Sequence, residues 1–231
     1  NVAKSKNPNC ICFVDNCYGE FVDSKEPTEV GADLMAGSLI KNPGGGIVEA
    51  GGYIAGKELL VERAATRLTA PGIGSEGGAM FNQHRLMFQG LFMAPSVVAD
   101  AVKGAILASK IFDEIGYDSS PKYNEKRTDI IQNITFGAPE PLEEFCRTIQ
   151  SLSPINGYVT PIPEYIPGYE DQVIMAGGTF IEGSTIELSA DGPMRAPYVA
   201  YMQGGLNYSH VKIALTKFLD KINSKNQCKQ M

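Results

Sequence analysis

The segment Ile11-Cys12-Phe13-Val14 is apolar for four residues and then stops at Asp15-Asn16. Such a run is too short for a helix. It reads as a buried parallel strand with polar residues at its carboxyl tip. Two more short runs, Gly31–Gly37 and Gly52–Gly56, follow and read as strands. Lys57 to Leu68 then has helical patterning, ended by Pro71-Gly72. Strand and helix patterns go on alternating, which predicts an α/β or α+β chain.

Gly72 to Gly78 is glycine-rich and predicts a loop. Ala94 to Ile115 predicts a long helix, with Pro95 near its start and Gly116 at its end. The polar stretch Asp118 to Lys126 contains Pro121 and is the best domain boundary, dividing 1–117 from 118–231. Beyond it, strands are predicted over Asp129–Phe136, Val173–Ala176 and Thr179–Leu188, with helices over Pro141–Ser151 and Ser209–Ile222.

Composition narrows the function classes. With 43% hydrophobic and 20% charged residues, the 231-residue chain can bury a core in one large or two small domains. The net charge of -6 argues against a nucleic-acid-binding surface. No run of about 18 apolar residues occurs, so no transmembrane helix is expected. Five cysteines, an odd number, argue against a disulfide framework and fit a reducing cytoplasm. Cys10-Ile11-Cys12 lacks a second Cys/His pair at zinc spacing, so burial in a strand is preferred over a metal site. The chain begins at Asn1 without a signal-peptide pattern, and we expect it to be a piece of a longer protein.

Three constellations could carry chemistry. Asp15 sits at a strand tip, where open α/β sheets meet their ligands. The alternative is a turn or capping aspartate. Lys41 precedes the glycine-rich Asn42-Pro43-Gly44-Gly45-Gly46, the reverse of a Walker A loop. Partial burial there would favour the neutral amine that imine formation needs, and Ser38, three residues earlier, could donate to a phosphate. The alternative is a solvated turn lysine. Arg195 lies between Pro193 and Pro197 in rigid chain, where its fork could meet a carboxylate or form a structural ion pair. His84 and His210 lack a paired motif and read as structural, and Tyr18, Tyr53, Tyr198 and Tyr201 are candidate acids that could equally be packing residues.

In combination, Val14-Asp15-Asn16-Cys17-Tyr18, Gly31-Ala32-Asp33 and Ser38-x-x-Lys41 resemble the signature of the cystathionine and methionine gamma-lyase group. The lysine follows the aspartate by 26 positions. The wording of Gly37 to Gly46, Arg67 to Gly74, Phe88-Gln89-Gly90-Leu91-Phe92, Gly178-Thr179-Phe180-Ile181 and Glu187 to Pro193 is narrower. It resembles the methionine gamma-lyase-related, or aluminium resistance, family.

The resemblance implies the fold type I architecture of pyridoxal-5'-phosphate (PLP) transferases: part of the large cofactor domain followed by a small α+β domain. It implies that Lys41 carries the cofactor as an imine, that Asp15 pairs with its ring nitrogen, and that Ser38 and Tyr18 help hold it. Arg195 would clamp the carboxylate of a small amino-acid substrate, with β- or γ-elimination of a sulfur group as the reaction. Another PLP reaction such as transamination, or a non-catalytic remnant, stays open. The family pattern also implies a homo-oligomer and a missing N-terminal part that would complete the cofactor site. The isolated piece is therefore expected to be inactive.

Overall fold

The computed structural model describes residues 2–77, 80–177 and 186–229. Its strands fall into two sheets. The first has three strands in sequence order: β1 (Phe13–Asp15), β2 (Leu34–Ser38) and β3 (Gly52–Gly56). β1 and β2 run parallel, while β2 and β3 are antiparallel. Between β2 and β3 the chain makes a 3-10 turn, Asn42–Gly44, closed by Gly45 in the left-handed region at φ 56°. Pro43 suits the start of that turn because its φ is already fixed.

A short helix α1 (Val2–Lys6) precedes this sheet and helix α2 (Glu58–Leu68) follows it. The buried Asp33 ties the segments together. It accepts from the Cys12 amide at 2.8 Å and pairs with Lys4 at 2.6 Å and Lys57 at 2.5 Å. The Cys12 amide first, then the two ammonium groups, hold its carboxyl well below the usual carboxylate range.

The second sheet has six antiparallel strands in the order β4-β5-β9-β8-β7-β6. These are β4 (Asp118–Ser120), β5 (Gln132–Thr135), β6 (Glu164–Tyr165), β7 (Gln172–Ala176), β8 (Ser189–Pro193) and β9 (Val199–Gln203). Alternation decides its two faces. Ile134, Ile174, Ala190, Ala200 and Met202 turn toward helices α3 (His84–Glu114), α4 (Pro139–Ser151) and α5 (Tyr208–Lys229). There they meet Phe112, Phe136, Phe145 and Phe218, whose ring centroids lie 5.0–5.8 Å apart in edge-on or tilted contacts. Each ring buried in this way contributes roughly 1.5–3 kcal/mol. The residues between them in sequence, among them Met175, Ser189, Asp191, Tyr201 and Gln203, face the other way.

Several sequence expectations shift. β1 has a parallel partner, but it is an edge strand with Phe13 59% exposed, because no described strand covers its other side. The strand expected over Gly31–Gly37 begins at Leu34, since Pro27–Val30 and Gly31 form a 3-10 turn and its left-handed cap. The expected Asp129–Phe136 strand narrows to β5. Helix α3 starts at His84, ten residues before the predicted Ala94, and Pro95 lies inside it. Packing overrides the local signal: Gly90 sits so close to Gly44 that a Cβ on it would be 2.8 Å from the Gly44 carbonyl carbon. The polar stretch Asp118 to Lys126 contains β4, the first strand of the second sheet, and β9 was not among the expected strands. Of the strand expected over Thr179–Leu188, positions 179–185 lie outside the described residues, and the observed strand begins at Ser189. By length and composition α3 could cross a membrane, but its Ala94, Val98, Ala101, Ala105 and Phe112 are buried in the protein.

Candidate active site

Parallel pairing places the tips of β1 and β2 side by side, with Asp15 opposite Ala36 and Ser38 two residues further on. The Asp15 side chain is exposed, and its Oδ1 accepts from the Cys17 amide at 3.2 Å. Ser38 Oγ accepts from the Ile40 amide at 3.4 Å, and the Lys41 amide donates to the Ser38 carbonyl at 3.4 Å. The half-buried Lys41 then carries its Nζ over the Tyr18 ring, 4.9 Å from the centroid. Tyr18 itself packs against the buried cluster formed by Val97, Val98, Ala101, Ile130 and Ile186. Burial, more than its acidic neighbours, pushes its phenol up to about 12, so Tyr18 is a hydrogen-bond donor at neutral pH. Asp15, Tyr18, Ser38 and Lys41 are therefore gathered at the carboxyl ends of a parallel strand pair, where α/β sheets bind ligands.

A buried polar network holds this corner from behind. Asn16 Nδ2 donates to Glu26 Oε2 at 2.9 Å and to the Tyr53 hydroxyl at 3.2 Å. The Tyr53 hydroxyl donates to Glu20 Oε1 at 2.9 Å, while Glu20 Oε2 is buried without a partner among the described residues. Burial pushes the Glu20 carboxyl up. Asn42 Nδ2 donates to the carbonyls of Tyr18 and Glu20 at 3.0 and 3.1 Å, fastening the turn after Lys41 to the loop after Asp15. Sequence reading missed Glu20 and Asn42 because no spacing rule marks a contact between distant loops.

Gly37 makes the network possible. A Cβ there would lie 2.5 and 2.6 Å from the Tyr53 ring and hydroxyl and would collide with Glu20 Oε1. Gly37→Ala is therefore expected to cost roughly 1–3 kcal/mol through overpacking. Thermal unfolding reads this directly, and an unchanged midpoint would mean that Tyr53 and Glu20 are free to move aside.

Arg195 is placed differently. It sits in the β8–β9 connection, and its exposed guanidinium pairs with Asp171 at 3.3 Å. It lines a cavity of about 690 Å³ together with Glu170, Asp171, Asp191, Tyr201 and Gln203. A cavity of about 240 Å³ lined by Tyr18, Ser189, Asp191 and Gln203 shares Met175, Asp191 and Gln203 with it. The adjoining cavities connect Arg195 to Tyr18 and, through Tyr18, to Lys41. Asp191 was not singled out from sequence, although the alternation in Ser189-Ala190-Asp191-Gly192 carried the signal. His210 has a structural partner, the Leu152 carbonyl 2.8 Å from Nε2.

The model of the family described as methionine gamma-lyase matches residues 1–223. YnbB of Bacillus subtilis is 56% identical over 222 residues, which is 96% of this chain and 53% of YnbB. A carbon-sulfur lyase involved in aluminium resistance from Clostridium novyi has a solved structure that superposes with a TM-score of 0.89. It is 55% identical, over 95% of this chain and 51% of that one. A cystathionine gamma synthase from Xanthomonas oryzae shares the fold at 13% identity and a TM-score of 0.58, over 96% of this chain and 58% of that one. The chain spans about half the length of these relatives. The Gly178-Thr179-Phe180-Ile181 segment of the family resemblance lies outside the described residues.

Proposed function

The chain belongs to the methionine gamma-lyase family, and from that premise we propose that, at the length of its relatives, it is a PLP-dependent carbon–sulfur lyase acting on a sulfur-containing amino acid. The observation that carries this reading is the convergence of Asp15, Ser38 and Lys41 at the tips of two parallel strands, with the Lys41 amine over Tyr18. The donor set fits the cofactor: a carboxylate for its ring nitrogen, a hydroxyl for its phosphate and an amine for its aldehyde. The name of the Clostridium novyi relative supports the class of bond broken.

When bound, PLP supplies an electron sink for the pair left at the substrate α-carbon. The residues of this chain do the rest. Lys41 would hold the cofactor through its Nζ, and the same amine would take the α-proton of the substrate. Asp15 would hold the ring nitrogen of the cofactor and favour electron flow toward it. Tyr18 keeps its own proton and offers Lys41 an apolar floor. Arg195 exchanges Asp171 for the substrate carboxylate, which fixes the bond to be broken. Elimination then consumes one water and releases a thiol, ammonia and a keto acid.

The test is chemical. The protein at family length is loaded with PLP, reduced with borohydride, digested and mapped. The pyridoxyl group is expected on Lys41, and labelling of a different lysine removes the assignment.

A further inference from the structure

The polar face of the six-stranded sheet has no role in the reading above beyond Arg195. Three neighbouring strands present Met175, Ser189, Asp191, Tyr201 and Gln203 on that face, since Met175 and Tyr201 both pair with Asp191 and Gln203 pairs with Ser189. The opposite face is filled by the hydrophobic core. Ser189 is 7% exposed, lines the smaller cavity, and its Oγ has no hydrogen-bond partner among the described residues. A hydroxyl buried this deeply beside a cavity costs free energy unless something that enters the cavity satisfies it.

The charge of the larger cavity is also unbalanced. Glu170, Asp171 and Asp191 line it, against one guanidinium, that of Arg195. Asp171 is matched by Arg195. Among the described residues no cation lies within salt-bridge distance of Asp191. We propose that Asp191, with Ser189 and Gln203 beside it, forms a subsite that selects substrates whose sulfur-bound group ends in an ammonium. The inference rests on the lyase reading and specifies its substrate class.

Position supports the assignment. Asp191 borders both cavities, so it lies between Tyr18, under the Lys41 amine, and Arg195. An amino acid held by its α-amine near Lys41 and by its carboxylate at Arg195 would send its sulfur substituent along the same wall. Burial pushes the Asp191 carboxyl up to about 6, and a cation arriving beside it would favour the ionised form. An incoming ammonium supplies the charge, and the remaining ammonium hydrogens reach the neighbouring hydroxyl and amide oxygens.

Two probes of nearly equal shape separate this from simple apolar binding: S-(2-aminoethyl)-L-cysteine and S-propyl-L-cysteine. With the PLP-loaded protein at family length, kcat/KM is measured by keto-acid release, and binding is measured by calorimetry. The wild type is expected to favour the aminoethyl compound by at least tenfold. Asp191→Asn, nearly isosteric, is expected to reduce that ratio at least tenfold, and Ser189→Ala to reduce it less. A wild type that does not prefer the aminoethyl compound overturns the subsite, as does a ratio unchanged in Asp191→Asn. If neither compound is eliminated, the lyase reading fails and the calorimetric ratio decides the subsite alone. An Asp191-dependent preference in binding sustains it, and absence of that preference, or of binding, ends it.

Discussion

Lys41→Ala is expected to abolish elimination while leaving the fold in place. On the proposed reading two functions would leave with one amine: the covalent hold on the cofactor and the base at the α-carbon. Loss of a positioned base alone costs about 10²–10⁴ in rate, and loss of the covalent link adds to that. The structural cost is small by comparison. Lys41 is half-buried, makes no ion pair among the described residues, and its visible contact is the approach of Nζ to the Tyr18 ring at 4.9 Å. A partly exposed contact of this kind is worth about 0.5–1 kcal/mol. Keto-acid release from a sulfur amino acid and the unfolding midpoint, measured on the same preparation, separate the two effects. Turnover above about a hundredth of wild type with an intact fold would be a smaller loss than removal of a base alone causes, and would deny Lys41 both roles. A large fall in the midpoint would instead mark Lys41 as structural.

The corner that holds Lys41 was legible in the sequence for a physical reason. Strand tips are local: Ile11 to Asp15 carries its own stop signal, and Ser38-x-x-Lys41 follows another strand directly. Once the two strands pair in parallel, their tips must lie together. The Asn16, Glu20, Tyr53 and Asn42 network was not legible, because its members meet only after the chain has doubled back, across as many as 37 residues. The start of α3 failed for a related reason. Pro95 gives a strong local signal for a first turn, but the close fit of Gly90 on Gly44 rewards a helix that begins a further ten residues upstream. For Arg195 the sequence left two readings open, a clamp for a substrate carboxylate and a structural ion pair. The carboxylate it meets in the structure is Asp171, which sequence distance concealed.

Asp15→Asn should be nearly silent in stability and severe in turnover. The Asp15 side chain is exposed, and its hydrogen bond from the Cys17 amide goes to an oxygen that asparagine keeps. Exposed, near-isosteric changes of this kind usually stay within about 0.5 kcal/mol. What asparagine does not keep is the charge. An anion beside the ring nitrogen favours electron density arriving there, and removing a preorganised charge from a reacting centre costs on the order of a hundredfold or more in rate. The same substitution decides between the two roles that sequence left open for this residue. A turn aspartate would be replaced by asparagine at almost no cost, because both side chains accept from an amide two residues on. Wild-type kcat/KM in Asp15→Asn would therefore assign Asp15 to the turn. A hundredfold loss with an unchanged unfolding midpoint and retained pyridoxyl labelling of Lys41 would assign it to the cofactor.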